Sequence, residues 1–184
     1  MQPSLLKTRA DLVAAQAERR LVRVRRSLEP GWADGYVVNI GPHFFVFLLV
    51  SDQIIFNGFQ AFRIRDLSTL EIPAPHASFV ESALRLRGAL PPPNPSIDLS
   101  DLPSLLTSAS TAFPVITVHR ETVDPDVCHI GAVLKIANDT VTLRGINADG
   151  QWDGEAEVFG LSEVTRVDFG GLYEQALSLV AGAG

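Results

Sequence analysis

The feature that most constrains this chain is a proline-rich interruption near its middle. The stretch GALPPPNPSIDLSD runs from Gly88 to Asp101 and contains four prolines. Proline fixes φ and removes a backbone donor, so the stretch predicts an extended linker rather than a strand or a helix. We therefore predict a first unit over residues 1–88, a linker with a short helix over 89–113, and a second unit over 114–184. Their similar size raises the question of an internal repeat.

Both halves present the same series of patterns. Each begins with a predicted helix, which starts at a capping-box-like Thr8 in the first half and after Ser100 in the second. An alternating strand follows, LVRVRRS or VITVHRE, and then a short acidic turn. Each half continues with four more strand-like segments and a helical tail containing ESAL or EQAL. Five short strands after a helix favour a small closed or nearly closed barrel, in a chain that is mainly β with short helices (α+β).

A shared GxVxxI pattern opens the second strand segment of each half. It occurs as Gly35, Val37, Ile40 and again as Gly131, Val133, Ile136. With the preceding helix and the five strands, this order resembles the Sm-like fold; an SH3-like small barrel is the alternative. The resemblance implies a tandem protein of bacterial type, with two Sm-like five-stranded barrels related by duplication. Sm-like repeats often associate edge to edge, so the resemblance also implies that the chain can form a homo-oligomer.

The positions that bind RNA in Sm proteins differ here. Those proteins usually carry an Asp directly after the last apolar residue of the motif and an Asn four residues later. The two halves have Gly41 and Ala137 at the first position, and Phe45 and Val141 at the second. Arg144-Gly145 falls in the middle of a strand rather than in the late Arg-Gly turn of the family. The groups that would bind a base edge are therefore missing, and the resemblance to the fold does not carry the RNA function with it.

Charge is distributed unevenly along the chain. Residues 1–88 hold 11 Lys/Arg and 8 Asp/Glu, whereas residues 89–184 hold 4 and 13, and the net charge is −6. A net-acidic chain is a poor general nucleic-acid binder. One basic cluster stands out and is the candidate binding site for a partner: Arg19, Arg20, Arg23, Arg25 and Arg26. It is either a solvated helix end and strand face or a patch that binds phosphate or acidic groups.

The stretch NADGQWDG, residues 147–154, has two interpretations. Asp149-Gly150 is a strong hairpin signal because both residues tolerate positive φ. The alternating Asp149, Gln151, Asp153 and Glu155 resemble calcium ligands, but no helix follows at the distance that such a loop needs. The corresponding stretch of the first half, SDQIIFNG, lacks most of these acids. We predict a hairpin and no metal site shared by both halves.

No pattern predicts catalysis. Cys128 is the only cysteine, so no intrachain disulfide can form, and the sequence supplies it with no base. Cys128 and His129, with His119, Asp124 and Asp126, lack zinc-type spacing. No glycine-rich phosphate loop or nucleophile elbow occurs. We predict that the chain is not an enzyme and has neither a metal nor a cofactor.

The run FFVFLLV, residues 44–50, is apolar without interruption. A strand of this kind needs cover on both faces. We expect the barrel interior to cover one face and the sister repeat or a second subunit to cover the other, with a helix as the alternative for that second face. No run reaches the roughly 18 apolar residues that span a bilayer, and no signal peptide is evident, so we expect a cytoplasmic protein without membrane attachment.

These observations favour a non-catalytic interaction or scaffold protein that binds a protein or peptide partner. The alternative is an RNA-binding protein that uses the Arg19–Arg26 cluster in place of the usual pocket. RNA binding through that cluster would fall steeply with salt, whereas peptide binding would not.

Overall fold

The computed structural model describes residues 5–182. The chain divides into two compact units between Asn94 and Pro95. The division lies inside the stretch that we predicted as a linker. Each unit contains a five-stranded antiparallel sheet and two helices, so the chain is an α+β protein.

The first unit begins with helix α1 (Leu5–Glu18) and ends with helix α2 (Ala77–Leu86). Five strands lie between the helices: β1 (Leu21–Arg26), β2 (Ala33–Ile40), β3 (Phe44–Val50), β4 (Phe56–Arg63) and β5 (Leu67–Glu71). A turn of 3-10 helix, Ile64–Asp66, joins β4 to β5. The strand order is β5-β1-β2-β3-β4.

The second unit has the same order of elements. It contains α3 (Leu102–Ala112), β6 (Ile116–His119), β7 (Cys128–Ala137), β8 (Thr140–Ile146), β9 (Trp152–Gly160), a 3-10 turn (Leu161–Glu163), β10 (Arg166–Phe169) and α4 (Leu172–Ala181). Its strand order is β10-β6-β7-β8-β9. In both units the fourth and fifth strands end the order, so the described ladders form open sheets, and closure into a barrel stays a prediction.

The two sheets share their irregularities as well as their order. In β2–β3 the register shifts between Val37 and Asn39, and in β7–β8 it shifts between Val133 and Lys135. A second shift follows Leu48 in β3–β4 and follows Arg144 in β8–β9. These shifts fall at equivalent points of the ladders. Bulges bend a strand and increase its twist, so both sheets curve at the same places.

Apolar side chains of α1 and the strands form the core of the first unit. Leu12 and Ala15 of α1 pack with Phe45 and Phe47 of β3 and with Phe62 of β4. The three phenylalanine rings contact each other with centroids 5.6–6.2 Å apart. The face of FFVFLLV that carries Phe45 and Phe47 therefore lies in the core of its own unit. On the opposite face, Val50 packs with Ala77 and Leu84 of α2, so a helix of the same unit contributes cover there. Cover of this face by the sister repeat or a second subunit stays a prediction.

The start of helix α3 agrees with the prediction from the sequence, and the start of helix α1 does not. Asp101 caps α3, since its Oδ1 accepts the backbone N–H of Ser104 at 2.7 Å, and Pro103 lies in the first turn. Thr8, by contrast, does not start α1. It lies buried inside the helix, and the predicted capping box is replaced by an ion pair between Lys7 and Asp11 at 2.9 Å.

Candidate partner-binding surface

The five arginines of the predicted cluster do not form one surface. Arg26 is buried, lies 4.9 Å from the ring centroid of Phe62 and pairs with Glu29. Arg26 lies on the same face of β1 as Val22 and Val24, whereas Arg23 and Arg25 lie on the opposite face. Arg20 pairs with Glu18 at 2.6 Å on the helix end. The alternation of LVRVRR thus already separates Arg26 from Arg23 and Arg25, and the register of β1–β5 shifts between Arg25 and Arg26.

Arg23 and Arg25 are the two members of the cluster that lie close together. Both guanidinium groups approach the exposed ring of Trp32, at 6.0 and 5.6 Å from its centroid. Arg23 also donates two hydrogen bonds to the carboxylate of Asp34, at 2.6 and 2.7 Å, and this pairing raises its pKa above the ordinary value. Arg25 is exposed, and no acidic partner is found for it among residues 5–182.

A groove of about 770 Å³ lies beside this pair in the first unit. Trp32 on one side is 48% exposed and Phe79 of α2 on the other is 64% exposed. We call it the Trp32–Phe79 groove. Its remaining lining combines apolar and polar groups: Arg23, Ala33, Asp34, Leu49, Val50, Ser51, Asp52, Ile54, Pro75, His76 and Val80. The groove is therefore amphipathic, with two large aromatic side chains that remain about half and two-thirds exposed.

The floor of the groove is held in place by the loop that connects β3 and β4. Ile54 takes a left-handed conformation there, with φ of 56°. Arg87 donates to the carbonyls of Gln53 and Ile54 at 2.7 and 3.1 Å, so the end of α2 fixes the loop. The Oγ of Ser51 is buried in the lining and lacks a hydrogen-bond partner among the described residues.

The positions of the Sm-type RNA pocket are occupied by structural residues. Phe45 and Val141 are fully buried. Arg9 of α1 donates to the carbonyls of Gly41 and Pro42, at 2.7 and 3.2 Å, and so covers the turn between β2 and β3. Arg144 lies within β8 and stacks on Trp152 at 5.4 Å. The residues that replace the RNA-binding positions of Sm proteins therefore pack in the core or are covered by helix α1, and they do not line an open pocket.

A polar network occupies one face of the sheet in the second unit. His119 lies opposite Arg166 on one side and opposite Cys128 on the other. Asp168 accepts from Arg166 at 2.5 and 2.7 Å, and its Oδ2 lies 3.2 Å from Nε2 of His119. Glu174 of α4 accepts from Thr117 in the adjoining row. This network could not be predicted from the sequence, since its residues are up to 57 positions apart.

The network does not prepare Cys128 for nucleophilic chemistry. Cys128 is exposed, but partial desolvation of its thiol raises the pKa, and the carboxylate of Asp168 raises it further, while Arg166 only partly opposes both. A thiolate is the reactive form of cysteine, and this environment disfavours it. Among residues 5–182 no group of His, Cys, Asp and Glu side chains is arranged to hold a metal ion.

The stretch NADGQWDG forms a tight turn between β8 and β9, and the hairpin prediction is confirmed. The Oδ1 of Asn147 accepts the backbone N–H groups of Asp149 and Gln151, both at 3.0 Å. Gly150 has φ of +72°, the left-handed region that favours glycine. The Asn147 side chain therefore bonds to its own turn.

Comparison with known proteins does not extend these findings: no family model, curated protein or solved structure matches the chain. In the part of the chain that the structure describes, no helix combines the length and the apolar character needed to cross a membrane.

Proposed function

We propose that this chain is a non-catalytic interaction protein that binds a peptide segment of a partner protein in the Trp32–Phe79 groove. The observation that carries the proposal is the pair of exposed aromatic rings, Trp32 and Phe79, in a groove that Arg23 also lines. Arg25 approaches the same groove through its contact with the ring of Trp32. Tryptophan and arginine are the side chains most often found at energetic hot spots of protein interfaces. The raised pKa of Cys128 supports the non-catalytic part of the proposal.

We assign the architecture to two Sm-like small barrels that arose by duplication. The shared strand order, the two matched register shifts and the matched 3-10 turns support this assignment. A difference in side chains between the two units is also compatible with duplication followed by divergence. Arg25 and Trp32 follow the last pair of the β1–β2 ladder, Val24 with Ala33, and by sequence they correspond to His119 and Cys128 of the second unit. The candidate binding groups therefore lie on one copy only. A cytoplasmic location remains our expectation.

The chemistry of the groove defines the expected partner. Arg23 is neutralised by Asp34, whereas Arg25 has no acidic partner among the described residues. A peptide with one large apolar or aromatic side chain between Trp32 and Phe79, and with an Asp or Glu beside Arg25, would satisfy both features. Apolar burial supplies affinity and the carboxylate supplies orientation.

Peptide display tests this proposal directly. Random peptides are selected on the wild-type chain after depletion on Trp32→Ala, and the enriched peptides are measured by calorimetry. We expect an aromatic or large aliphatic residue flanked by acids. Loss of one hot-spot ring should weaken binding at least about tenfold. Arg25→Glu should weaken it similarly, whereas Arg65→Glu, an equal charge change at an exposed arginine outside the groove, should not. Peptides that bind Trp32→Ala as tightly as the wild type would refute the groove as the site.

A second candidate, RNA binding, is favoured by one feature, the stacking of Arg25 on the exposed Trp32. Aromatic rings with neighbouring arginines bind single-stranded bases in many proteins. Affinity for single-stranded RNA would then fall steeply between 50 and 200 mM salt, which is roughly the range where counterion release dominates. Arg25→Glu is the cleaner variant for this test, because Arg23→Glu would also leave Asp34 without its partner. Peptide binding that persists at about 200 mM salt, without RNA binding at low salt, would decide for the first candidate.

A further inference from the structure

We propose that a second groove in the first unit binds a small amphipathic carboxylate, that is, a molecule with an apolar chain or ring and one carboxylate group. The groove measures about 650 Å³, which is within the usual range for small-molecule sites. It lies between the sheet, helix α2 and the proline segment. We call it the Tyr36–Leu90 groove, and this proposal is independent of the peptide-binding proposal.

The walls of the Tyr36–Leu90 groove are apolar and come from three sources. The sheet contributes Tyr36 and Leu48, which are directly paired across β2 and β3, and Phe56 of β4. The rings of Tyr36 and Phe56 lie 6.3 Å apart. Leu84 of α2 closes one side. The opposite side is formed by Leu90, which is 85% exposed, and by the prolines that follow it. Prolines restrict the backbone, so this wall is formed before any ligand binds.

The rim of the groove carries a net positive charge. Arg19 and Arg85 lie on it with a single acid, Glu81. No carboxylate pairs with either arginine within residues 5–182; Arg85 is within 3.4 Å only of the Ser82 hydroxyl. Burial, with Glu81 as the lesser cause, raises the pKa of Tyr36 to about 12, so its hydroxyl stays protonated and can donate. Two cations and one neutral donor at the edge of an apolar groove favour a carboxylate over a cation or an uncharged molecule.

In the second unit, an arginine side chain occupies the position that corresponds to the Tyr36–Leu90 groove. The residues paired at the equivalent ladder positions are Ala132 and Arg144, where the first unit has Tyr36 and Leu48. The Arg144 side chain stacks on Trp152, the counterpart of Phe56. An arginine thus covers the apolar ring in the second unit, while the first unit leaves this space open.

Titration calorimetry with defined probes tests the proposal. Decanoate should bind the full chain at one site, and hexanoate should bind at least about tenfold more weakly, because each buried methylene contributes roughly a factor of four. Decyltrimethylammonium, with the same chain and the opposite charge, should also bind at least about tenfold more weakly. Equal affinity for the two head groups would mean unspecific apolar binding and would overturn the proposal.

Variants locate the site. Arg19→Ala combined with Arg85→Ala should weaken decanoate about tenfold, while Arg65→Ala, at an exposed arginine outside the groove, should leave it unchanged. Leu90→Glu, at an exposed position, should weaken it at least as much. Leu48→Arg, which copies Arg144, should abolish binding; if that variant does not fold, Leu90→Glu decides. Unchanged affinity in the double arginine variant would overturn the proposal. So would a dimer, seen by sedimentation, that Leu90→Glu dissociates while the wild type binds no decanoate.

Discussion

Two glycines occupy equivalent positions at which any larger residue would collide with the neighbouring strand. A β-carbon on Gly35 would overlap the carbonyl oxygen of Leu48 and the ring of Phe47. One on Gly131 would overlap the carbonyl oxygen of Arg144. Both are the first residues of the GxVxxI pattern. The glycine of this pattern is thus required by close approach of two backbones, not by a left-handed conformation.

Gly35→Ala should lower the free energy of unfolding by about 2–3 kcal/mol, the usual cost of forcing an extra carbon into a packed site. Gly154→Ala is the matched control, since nothing lies within 4 Å of its β-carbon position. It should change stability by no more than about 0.5 kcal/mol. Urea unfolding followed by circular dichroism gives both values. Equal stability of the two variants would show that the strands can separate at Gly35 without cost.

Cys128 provides a test of the non-catalytic proposal at the level of one atom. Because partial desolvation and Asp168 raise the pKa of its thiol, little thiolate exists at neutral pH. Alkylation by iodoacetamide should be slower than that of free cysteine at pH 7.5 and should increase up to a higher pH. Mass spectrometry of the modified chain gives the rate at each pH. An apparent pKa below that of free cysteine would contradict the prediction and would support Cys128 as a nucleophile beside His119.

At the level of elements, the pairing of β6 and β10 depends on the network around Asp168. Burial disfavours the carboxylate, but Arg166 and His119 outweigh burial and hold the pKa of Asp168 well below its usual range. A depressed pKa means that the ionised group stabilises the fold above its unfolded pKa, roughly pH 4, and that this contribution is lost as pH falls further.

Asp168→Asn should therefore destabilise the chain at pH 7 by about 3 kcal/mol, because it leaves Arg166 and His119 without their shared carboxylate. The difference from wild type should shrink as pH falls below about 4. Asp126→Asn, the same change at an exposed position, should have little effect. Thermal unfolding at a series of pH values measures both. A difference that stays constant down to pH 2 would mean that packing, not ionisation, explains the loss.

The sequence predicted most elements because their signals are local. Alternation and turn residues indicated the strands, and Asp149-Gly150 indicated the hairpin. Thr8 failed as a helix start because α1 includes Leu5, three residues before it. The grooves could not be predicted, since each combines residues from distant segments; Trp32 and Phe79 meet only once α2 packs on the sheet. The burial of Arg26, by contrast, follows from the alternation, since it shares the face of Val22 and Val24. The predicted arginine cluster failed because it combined residues from both faces of β1.

At the level of the whole molecule, part of the acidic excess of the second unit lies on one strand, β9. Strand β9 ends the strand order of its unit, and its side chains from Asp153 to Val158 are exposed. Its counterpart β4 is buried along most of its length. Three exposed carboxylates, Asp153, Glu155 and Glu157, lie along β9. An exposed strand edge can pair with another strand, and charges on it restrict which strand is accepted.

Self-association through β9 is the form of homo-oligomer that this edge favours, since the resemblance to Sm-like repeats implies edge-to-edge contacts. The first unit carries the excess of basic residues, and its outer strand β5 lies beside Arg23 and Arg25 of β1. A contact between β9 of one copy and β5 of another would join opposite charges. Association should therefore weaken as salt increases, because screening reduces attraction between exposed charges.

Analytical ultracentrifugation over about 5–200 µM, a range that detects micromolar association, measures this directly. The wild type should associate at low salt, and 0.5 M NaCl should shift the equilibrium towards the monomer. Val158→Lys with Glu155→Lys should shift it further, because the changes reverse the charge at an exposed edge without removing a described contact of Glu155. Asp126→Lys, outside β9, is the control and should leave the equilibrium unchanged. Association that grows with salt and survives the double variant would place the contact on an apolar surface instead, and a monomer at every concentration would mean that the acidic edge keeps copies apart.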